Sequence, residues 1–340
     1  MNRKTFIPLL ALLPVALTTA CNGSVGIDPG VWNAYRNPVE QSDVQDPCVI
    51  EEEGVFYLFS SELSSGSGAD LVEEFIPTMT SQTLIWWSKG TSVFDDITKP
   101  KFIAGGKITC PDVAKVGGKY LLYYSLTTTS ASGIGVAEAE FASGPYTDKG
   151  ALLTSSSTGL QGVASPSFFT DGTNNWLVFG EGKGIYLQKL SADGLSVSGS
   201  PVEIAADGFN APAMLFKDGK YHLFVSSGSI TGGASSTSRI RYGRADRASG
   251  PYLDRSSKDL LDNGGELLID TSVKFAGPGN ASVLSLKDGS DWLFYNAYDL
   301  SAISKGRTLM MDRLQWNDGW ATVRGGICSF SAEAPTLSSE

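Results

Sequence analysis

Short runs of alternating apolar and polar residues, separated by glycine-rich turns, recur along the chain. The clearest run is CPDVAKVGGKYLLYYSL at residues 110–126, where Gly117 and Gly118 separate two apolar stretches. A period of two residues on both sides of a Gly-Gly turn predicts an antiparallel β-hairpin. No stretch has the longer period of an amphipathic helix, so the pattern predicts an all-β protein.

The same hairpin signal occurs five times, each time as a proline followed by an aromatic strand. The prolines are Pro47, Pro111, Pro166, Pro212 and Pro278, and the aromatic residues are Phe56, Tyr120, Trp176, Tyr221 and Trp292. The aromatic residues are 64, 56, 45 and 71 residues apart, which is the period of a four-stranded sheet with its loops. ASGPYTDKG at 142–150 and ASGPYLDR at 248–255 form a second internal repeat. The sequence therefore predicts a five-bladed β-propeller over residues 39–325.

The two ends of the chain lie outside this repeat. Residues 1–20 have a basic start, a short apolar run and small residues before Cys21, which predicts an export signal of the lipoprotein type with Cys21 lipidated. The alternative is cleavage after Ala20 without lipidation. Lipidation predicts an outer-membrane or cell-surface lipoprotein, and cleavage alone predicts a secreted protein. Residues 21–38 are expected to act as a tether and ring-closing segment, and residues 326–340 as a tail without regular structure.

Charge and composition narrow the class of partner. Removal of residues 1–20, which hold Arg3 and Lys4 but no acidic residue, changes the net charge from −10 to −12. Such an acidic surface argues against nucleic acid and anionic lipid as partners, but not against neutral polymers. We expect a monomer whose contact with a membrane is made through the lipid on Cys21.

Cysteine and histidine content limits the chemistry. If Cys21 carries lipid, the remaining Cys48, Cys110 and Cys328 permit one disulfide, whereas four unmodified cysteines permit two. The simpler interpretation of Cys48 and Cys110 is that they serve as small apolar residues in strands. With His222 as the single histidine, a Ser-His-Asp triad and a histidine-ligated metal are disfavoured, and a structural role in a strand is expected.

Polar residues accompany all five prolines. They are Asp46, Asp112, Ser165, Asn210 and Asn280. The first strand of each blade lines the channel of a propeller, so these side chains are expected to converge on one funnel. Directed donors and acceptors at converging positions are typical of a site that binds the hydroxyl groups of a glycan. Elsewhere, the adjacent Trp86 and Trp87 are predicted to point to opposite faces of a strand, so that at most one lies in the core.

These phrases resemble glycoside hydrolase family 43, and within it the endo-1,5-α-L-arabinanases. The resemblance lies in QDPCVI (45–50), CPDVAKVGGKYLLYYS (110–125), SPSFFTDGTNNWLVFG (165–180), NAPAMLFKDGKYHLF (210–224) and GPGNASVLSLKDGSDWLFYNAYD (277–299). It implies a five-bladed propeller and inverting hydrolysis of arabinan- or xylan-type polysaccharides. It also implies three carboxyl groups, namely a base, an acid and a carboxyl that modulates the acid.

At the positions that match the family's motifs, this sequence keeps the base but has other residues in place of the other two carboxyls. The base is Asp46, the modulator position holds Ser165, and the acid position holds Asn210. The histidines of the fifth blade are replaced by Asn280 and Asn296, which we assign with Asp112, Ser165 and Asn210 to substrate binding. No cofactor is required by this chemistry, although Asn280 offers an amide oxygen to calcium.

An inverting glycosidase needs a proton donor opposite its base, and asparagine cannot serve as one. Glu181 and Glu62 end second strands and return to the face where the first strands begin, so either can reach the funnel; Asp112 is a third candidate. We predict Glu181 as the relocated acid. The alternative function is a catalytically inactive carbohydrate-binding propeller at the cell surface, and a weaker one is a propeller with a purely structural or interaction role.

Overall fold

The structure is a computed structural model that describes residues 34–67 and 70–337. The predicted export signal, the lipidation site Cys21 and most of the tether lie outside the described residues. Nearly every regular element is a β-strand, and the strands form five four-stranded antiparallel sheets that follow one another along the chain. The predicted five-bladed β-propeller is confirmed.

The first two blades contain β2 to β11. The bounds of the early strands are β1 (Ala34–Arg36), β2 (Cys48–Glu52), β3 (Val55–Phe59), β4 (Leu63–Ser65), β5 (Val72–Glu74), β6 (Thr78–Ser81), β7 (Ser88–Lys89), β8 (Lys107–Val116), β9 (Lys119–Thr127), β10 (Ser132–Ala139) and β11 (Thr147–Thr154). The first blade has the order β2-β3-β6-β7, and β4 and β5 form a separate hairpin inserted between its second and third strands.

The last three blades contain β12 to β23. Their bounds, with the final strand, are β12 (Ser167–Thr170), β13 (Asn175–Phe179), β14 (Ile185–Leu190), β15 (Val197–Ala205), β16 (Phe209–Lys217), β17 (Lys220–Ser227), β18 (Arg239–Ala245), β19 (Glu266–Ile269), β20 (Phe275–Ser285), β21 (Asp291–Asp299), β22 (Arg307–Asn317), β23 (Trp320–Thr322) and β24 (Ser331–Glu333). Helix α1 (Ser155–Thr158) follows β11, and short 3-10 helices occur at Gly233–Ser235, Leu260–Asp262, Ile303–Lys305 and Arg324–Gly326.

The seam between the fifth and first blades is closed by both ends of the described chain. Strand β1 pairs with β24, and the side chain of Asn37 bonds the backbone of Met311 as donor and as acceptor, both at 2.9 Å. The backbone N–H groups of Val39 and Val44 donate to carbonyls of β22 at 2.9 and 2.6 Å. The N-terminal segment therefore extends the fifth blade beside the part of β22 that β23 does not reach.

The prediction of a tail without regular structure is wrong at residues 331–333. These residues form β24 because β1 offers a strand edge that would otherwise leave backbone groups unpaired. The cysteine alternatives are also resolved in part, since Cys48, Cys110 and Cys328 are free thiols. No helix within the two described ranges is long and apolar enough to cross a membrane.

Candidate functional site

Five residues with left-handed backbone conformation surround one end of the channel, one at the start of each blade. They are Asp46 (φ 54°), Cys110 (φ 51°), Ser165 (φ 53°), Ala211 (φ 46°) and Asn280 (φ 53°). Positive φ is unfavourable for residues with a Cβ, so its recurrence in every blade points to a conformation that the fold imposes. The first four directly precede a proline. In the fifth blade Ala281 stands at the proline position, and Pro278 lies three residues earlier.

Serines from the neighbouring blades hold three of these strained residues in place. Each serine lies near the end of a second strand, and its hydroxyl accepts the backbone N–H of the ring residue in the next blade at 2.8 Å. The pairs are Ser61 with Cys110, Ser125 with Ser165, and Ser226 with Asn280. The ring is thus fixed by contacts between blades as well as within them.

The ring encloses a narrow hollow. Its walls include the side chains of Asp46, Cys110, Asp112, Ser165, Ala211 and Asn280. The hollow holds about 40 Å³, which is enough for a water molecule and too little for a sugar ring. A bound saccharide would therefore lie across the mouth, and groups at the mouth would be the ones to reach it.

Four of the five predicted funnel residues line the hollow, but Asn210 does not. Ala211 takes the ring position in its blade, and Asn210 pairs with Ser226 of β17 one residue further back. Asn296 is also displaced from its predicted role, because it is completely buried opposite Gly279 and has no access to a substrate. In the fourth blade a bulge between Asn210 and Ala213 changes which side chain faces the channel.

Asp46 is held by three partners in the ring. Its carboxylate accepts hydrogen bonds from the hydroxyl of Ser61 and the side-chain amide of Asn280. Arg307 places its Nη1 3.5 Å from Asp46 Oδ1. Because the Ser61 oxygen already accepts the N–H of Cys110, its one hydrogen is directed to Asp46. The carboxylate is therefore fixed in one orientation with an opposite charge beside it.

Glu181 lies at the mouth between the two positions that lack the expected carboxyls. Its carboxylate accepts a hydrogen bond from the hydroxyl of Ser165, and its backbone is the bridge partner of Asn210. The residue as a whole is exposed to solvent, but its carboxyl lies against Ser165 at the edge of the hollow, where loss of hydration raises its pKa above the ordinary glutamate value. The negative charge of Asp46 acts in the same direction, whereas the Ser165 hydrogen bond and the positive charge of Arg307 oppose it.

The local sequence GEGKG explains how Glu181 reaches this place. After β13 the chain turns back within a few residues, and a Cβ on Gly180 would lie 2.2 Å from the carbonyl oxygen of Gly184. Only glycine permits that approach. Backbone bonds from Gly182 to Phe209 (3.0 Å) and from Ala211 to Gly180 (3.3 Å) then fasten the turn to the fourth blade. Alternating glycines around one acidic residue were the signal in the sequence for this carboxyl.

Asp112 and Glu62, the other two candidate acids, have different surroundings. Asp112 lies two residues beyond Cys110, further into the hollow, and accepts the backbone N–H of Phe168 at 2.6 Å. Burial raises the pKa of Asp112 to about 7, against the hydrogen bonds from Phe168 and Cys48. Glu62 accepts the backbone N–H of Ile108 at 2.9 Å, a bond that joins the first blade to the second. Both carboxyls therefore have structural partners.

The environment of His222 agrees with a structural role. The residue is buried in β17, and its ring packs edge-on against Trp316 with centroids 4.7 Å apart. Burial lowers the pKa of His222 to about 4, so the ring is neutral at physiological pH.

The residues at the ring do not make a fitting calcium site. Asn280 donates its side-chain amide to Asp46, and within residues 34–67 and 70–337 no three His, Cys, Asp or Glu side chains cluster as metal ligands. Calcium prefers six to eight oxygen ligands that include carboxylates.

Comparison with known proteins agrees with this architecture. The chain is 30% identical to extracellular endo-alpha-(1->5)-L-arabinanase 1 of Bacillus subtilis, over 82% of this chain and 86% of that protein. It is 29% identical to the extracellular exo-alpha-(1->5)-L-arabinofuranosidase ArbA of Cellvibrio japonicus, over 84% and 87%.

Solved structures are similar over most of their length. The alpha-L-arabinanase of Cellvibrio cellulosa in complex with arabinohexaose superimposes with a TM-score of 0.74 at 26% identity, over 84% of this chain and 96% of that one. The family 43 endo-arabinanase of Bacillus licheniformis gives 0.72 at 30% identity, over 83% and 97%. Residues 35–321 match the family described as glycosyl hydrolases family 43. The resemblance found in the proline-centred phrases is therefore confirmed, and the chain belongs to glycosyl hydrolase family 43.

Proposed function

We propose that this chain is an exported glycosidase that hydrolyses α-1,5-linked arabinan with inversion, with Asp46 as general base and Glu181 as general acid. The names of its relatives support the substrate class. The observation that carries the assignment of the acid is the position of Glu181, which is bonded to Ser165 and bridged to Asn210.

In this mechanism the sugar lies across the mouth of the hollow. A water molecule attacks the anomeric carbon while Asp46 accepts its proton, and the carboxylic acid of Glu181 gives its proton to the departing glycosidic oxygen. The raised pKa of Glu181 increases the fraction of the protonated form that this role requires. Arg307, Ser61 and Asn280 keep the carboxylate of Asp46 in place.

The test compares release of reducing ends from linear arabinan by the wild type, Asp46→Asn and Glu181→Gln. We expect each variant to be slower by about 10²–10⁴-fold. Glu62→Gln is the matched control, because glutamine can still accept the N–H of Ile108. An aryl arabinoside with a very acidic leaving group needs little protonation, so it should lose much less rate in Glu181→Gln than in Asp46→Asn. If Glu181→Gln hydrolysed linear arabinan at the wild-type rate, Glu181 would be excluded as the general acid.

The second candidate is a carbohydrate-binding propeller without catalysis, which the side chains of Ser165 and Asn210 favour. It predicts that arabinan retards the protein in a native gel and that the wild type and Asp46→Asn release reducing ends at the same background rate. For either function we propose export with lipid on Cys21 and action as a monomer. Loss of the lipid label in Cys21→Ala tests the anchor, and sedimentation velocity tests the oligomeric state.

A further inference from the structure

We propose that a groove on the outer wall, at the seam of the first and fifth blades, is a second saccharide-binding site that takes a neutral glycan chain on the ring of Trp86. The choice of a glycan as ligand rests on the proposed function. The location of the site and its chemistry rest on the observations below.

The groove runs between the N-terminal segment and the loop before β7. Its lining is formed mainly by Tyr35, Arg36, Glu40, Gln41, Trp86 and Trp87. It encloses about 470 Å³, within the range of small-molecule sites. It shares no described lining residue with the central hollow. A ligand here would therefore not compete with one at the mouth.

The two adjacent tryptophans have different roles. Trp86 lies in a bend and Trp87 in the irregular position just before β7, so neither is in a strand, which corrects the prediction made from alternation. Trp87 donates its indole N–H to the carbonyl of Leu84 at 3.1 Å and packs against the core of the seam. Trp86 is 69% exposed, and its ring makes none of the hydrogen bonds or ring contacts found in the described part of the chain. Folding therefore gives no reason for an indole at position 86.

The walls beside Trp86 are fixed before any ligand arrives. The hydroxyl of Tyr35 donates to the carbonyl of Met311 at 2.8 Å, and Lys305 donates to the side-chain oxygen of Gln41 at 3.0 Å. The backbone N–H of Trp86 is held by the hydroxyl of Thr83 at 3.2 Å. A preformed groove loses little conformational entropy on binding.

The charge of the groove selects a neutral ligand. Arg36 and Glu40 are its charged lining residues and have opposite signs, and the whole chain carries a net charge of −10 that repels acidic polymers. A pyranose or furanose ring presents C–H groups to an aromatic face and hydroxyls to polar side chains. Trp86 provides the aromatic face here, and Arg36 and Gln41 provide the polar side chains. The surface is concave, as suits a polymer chain; a flat membrane would favour a protruding apolar patch.

The experiment measures binding in the Asp46→Asn background, so that the polymer is not degraded during the assay. Full-length protein is run in native gels that contain increasing concentrations of linear arabinan, with and without Trp86→Ala. Phe141→Ala is the matched control, because Phe141 is 62% exposed and lies outside the groove. We expect Trp86→Ala to weaken retardation by about tenfold, Phe141→Ala to leave it unchanged, and Trp86→Phe to keep most of it.

Equal retardation with and without Trp86→Ala would overturn the proposal. The proposal would also be overturned if Trp86→Ala changed only co-sedimentation with phosphatidylcholine vesicles, which would indicate a membrane contact. It would be overturned equally if Trp86→Ala changed only self-association in sedimentation velocity, which would indicate a contact between two copies of the chain. Thermal melts of each variant verify that it is folded. If Trp86→Ala is unstable, the retardation of Trp86→Phe is compared with that of the Asp46→Asn parent instead. Failure of the proposed glycosidase function is a separate result, because it would appear as absent hydrolysis by the wild type while the binding difference persisted.

Discussion

The hydroxyl of Ser165 donates a hydrogen bond to the carboxylate of Glu181. Ser165 stands where the family resemblance places a modulating carboxyl, and Glu181 brings a carboxyl to that serine from the end of the second strand of the same blade. The backbone of Glu181 also faces Asn210, the position of the missing acid. One carboxyl thus lies between the two sites from which carboxyls are absent.

This arrangement predicts a rescue by a carboxyl at position 210. Asn210→Glu combined with Glu181→Gln should be at least about tenfold faster than Glu181→Gln alone. Asn210 itself does not line the hollow, but its backbone pairs with that of Glu181, and the longer side chain of a glutamate there would carry an acid to the same mouth. The measurement is the initial rate on linear arabinan. Asn210→Gln in the same background has similar size without an acidic proton and should give no recovery. Equal rates for the Glu and Gln variants would show that position 210 cannot reach the bond.

Removal of the positive charge at position 307 should change the pH profile. Arg307 lowers the pKa of Glu181, so Arg307→Gln should raise it and shift the alkaline limb of kcat/KM to higher pH. The limb is measured between pH 4 and 9 on a soluble arabino-oligosaccharide. Arg313→Gln, an exposed change on the same strand, is the control. If the alkaline limb did not move, Glu181 would not be the group whose ionisation sets it.

Burial of Asp112 predicts a stability effect that depends on pH. Its pKa is raised from 3.8 to about 7 in the folded protein, so the folded state binds more protons than the unfolded state between these values. The contribution of Asp112 to stability is therefore complete below about pH 4 and is lost as pH rises to about 7.

The variant Asp112→Asn removes this titration while keeping an oxygen for the N–H of Phe168. Its Tm relative to the wild type should rise steadily from pH 4 to pH 7, as followed by circular dichroism. Taking the difference at each pH cancels the contribution of the other carboxyls. A difference that is constant over this range would show that Asp112 does not titrate there.

The serines between blades predict a cost in stability. Ser125→Ala leaves the buried N–H of Ser165 without its acceptor, so the free energy of unfolding should fall by about 1–3 kcal/mol. Urea denaturation measures the change, and Ser130→Ala in an exposed turn is the control, expected within about 0.5 kcal/mol of the wild type. A loss no greater than that of the control would mean that the strained residue at position 165 is held by its own blade alone.

The sequence by itself determined the number of blades, because each blade repeats a proline, a hairpin turn and an aromatic strand, and such local signals need no knowledge of distant contacts. It also identified Asp46 and Glu181 as acidic residues at strand ends on one face. Only the tertiary structure decided which neighbouring side chain enters the channel. In the fourth blade a bulge turns Ala211 inward in place of Asn210, and in the fifth Asn296 is buried behind the wall. A shift of one residue reverses the face of a strand, and packing between blades fixes that shift.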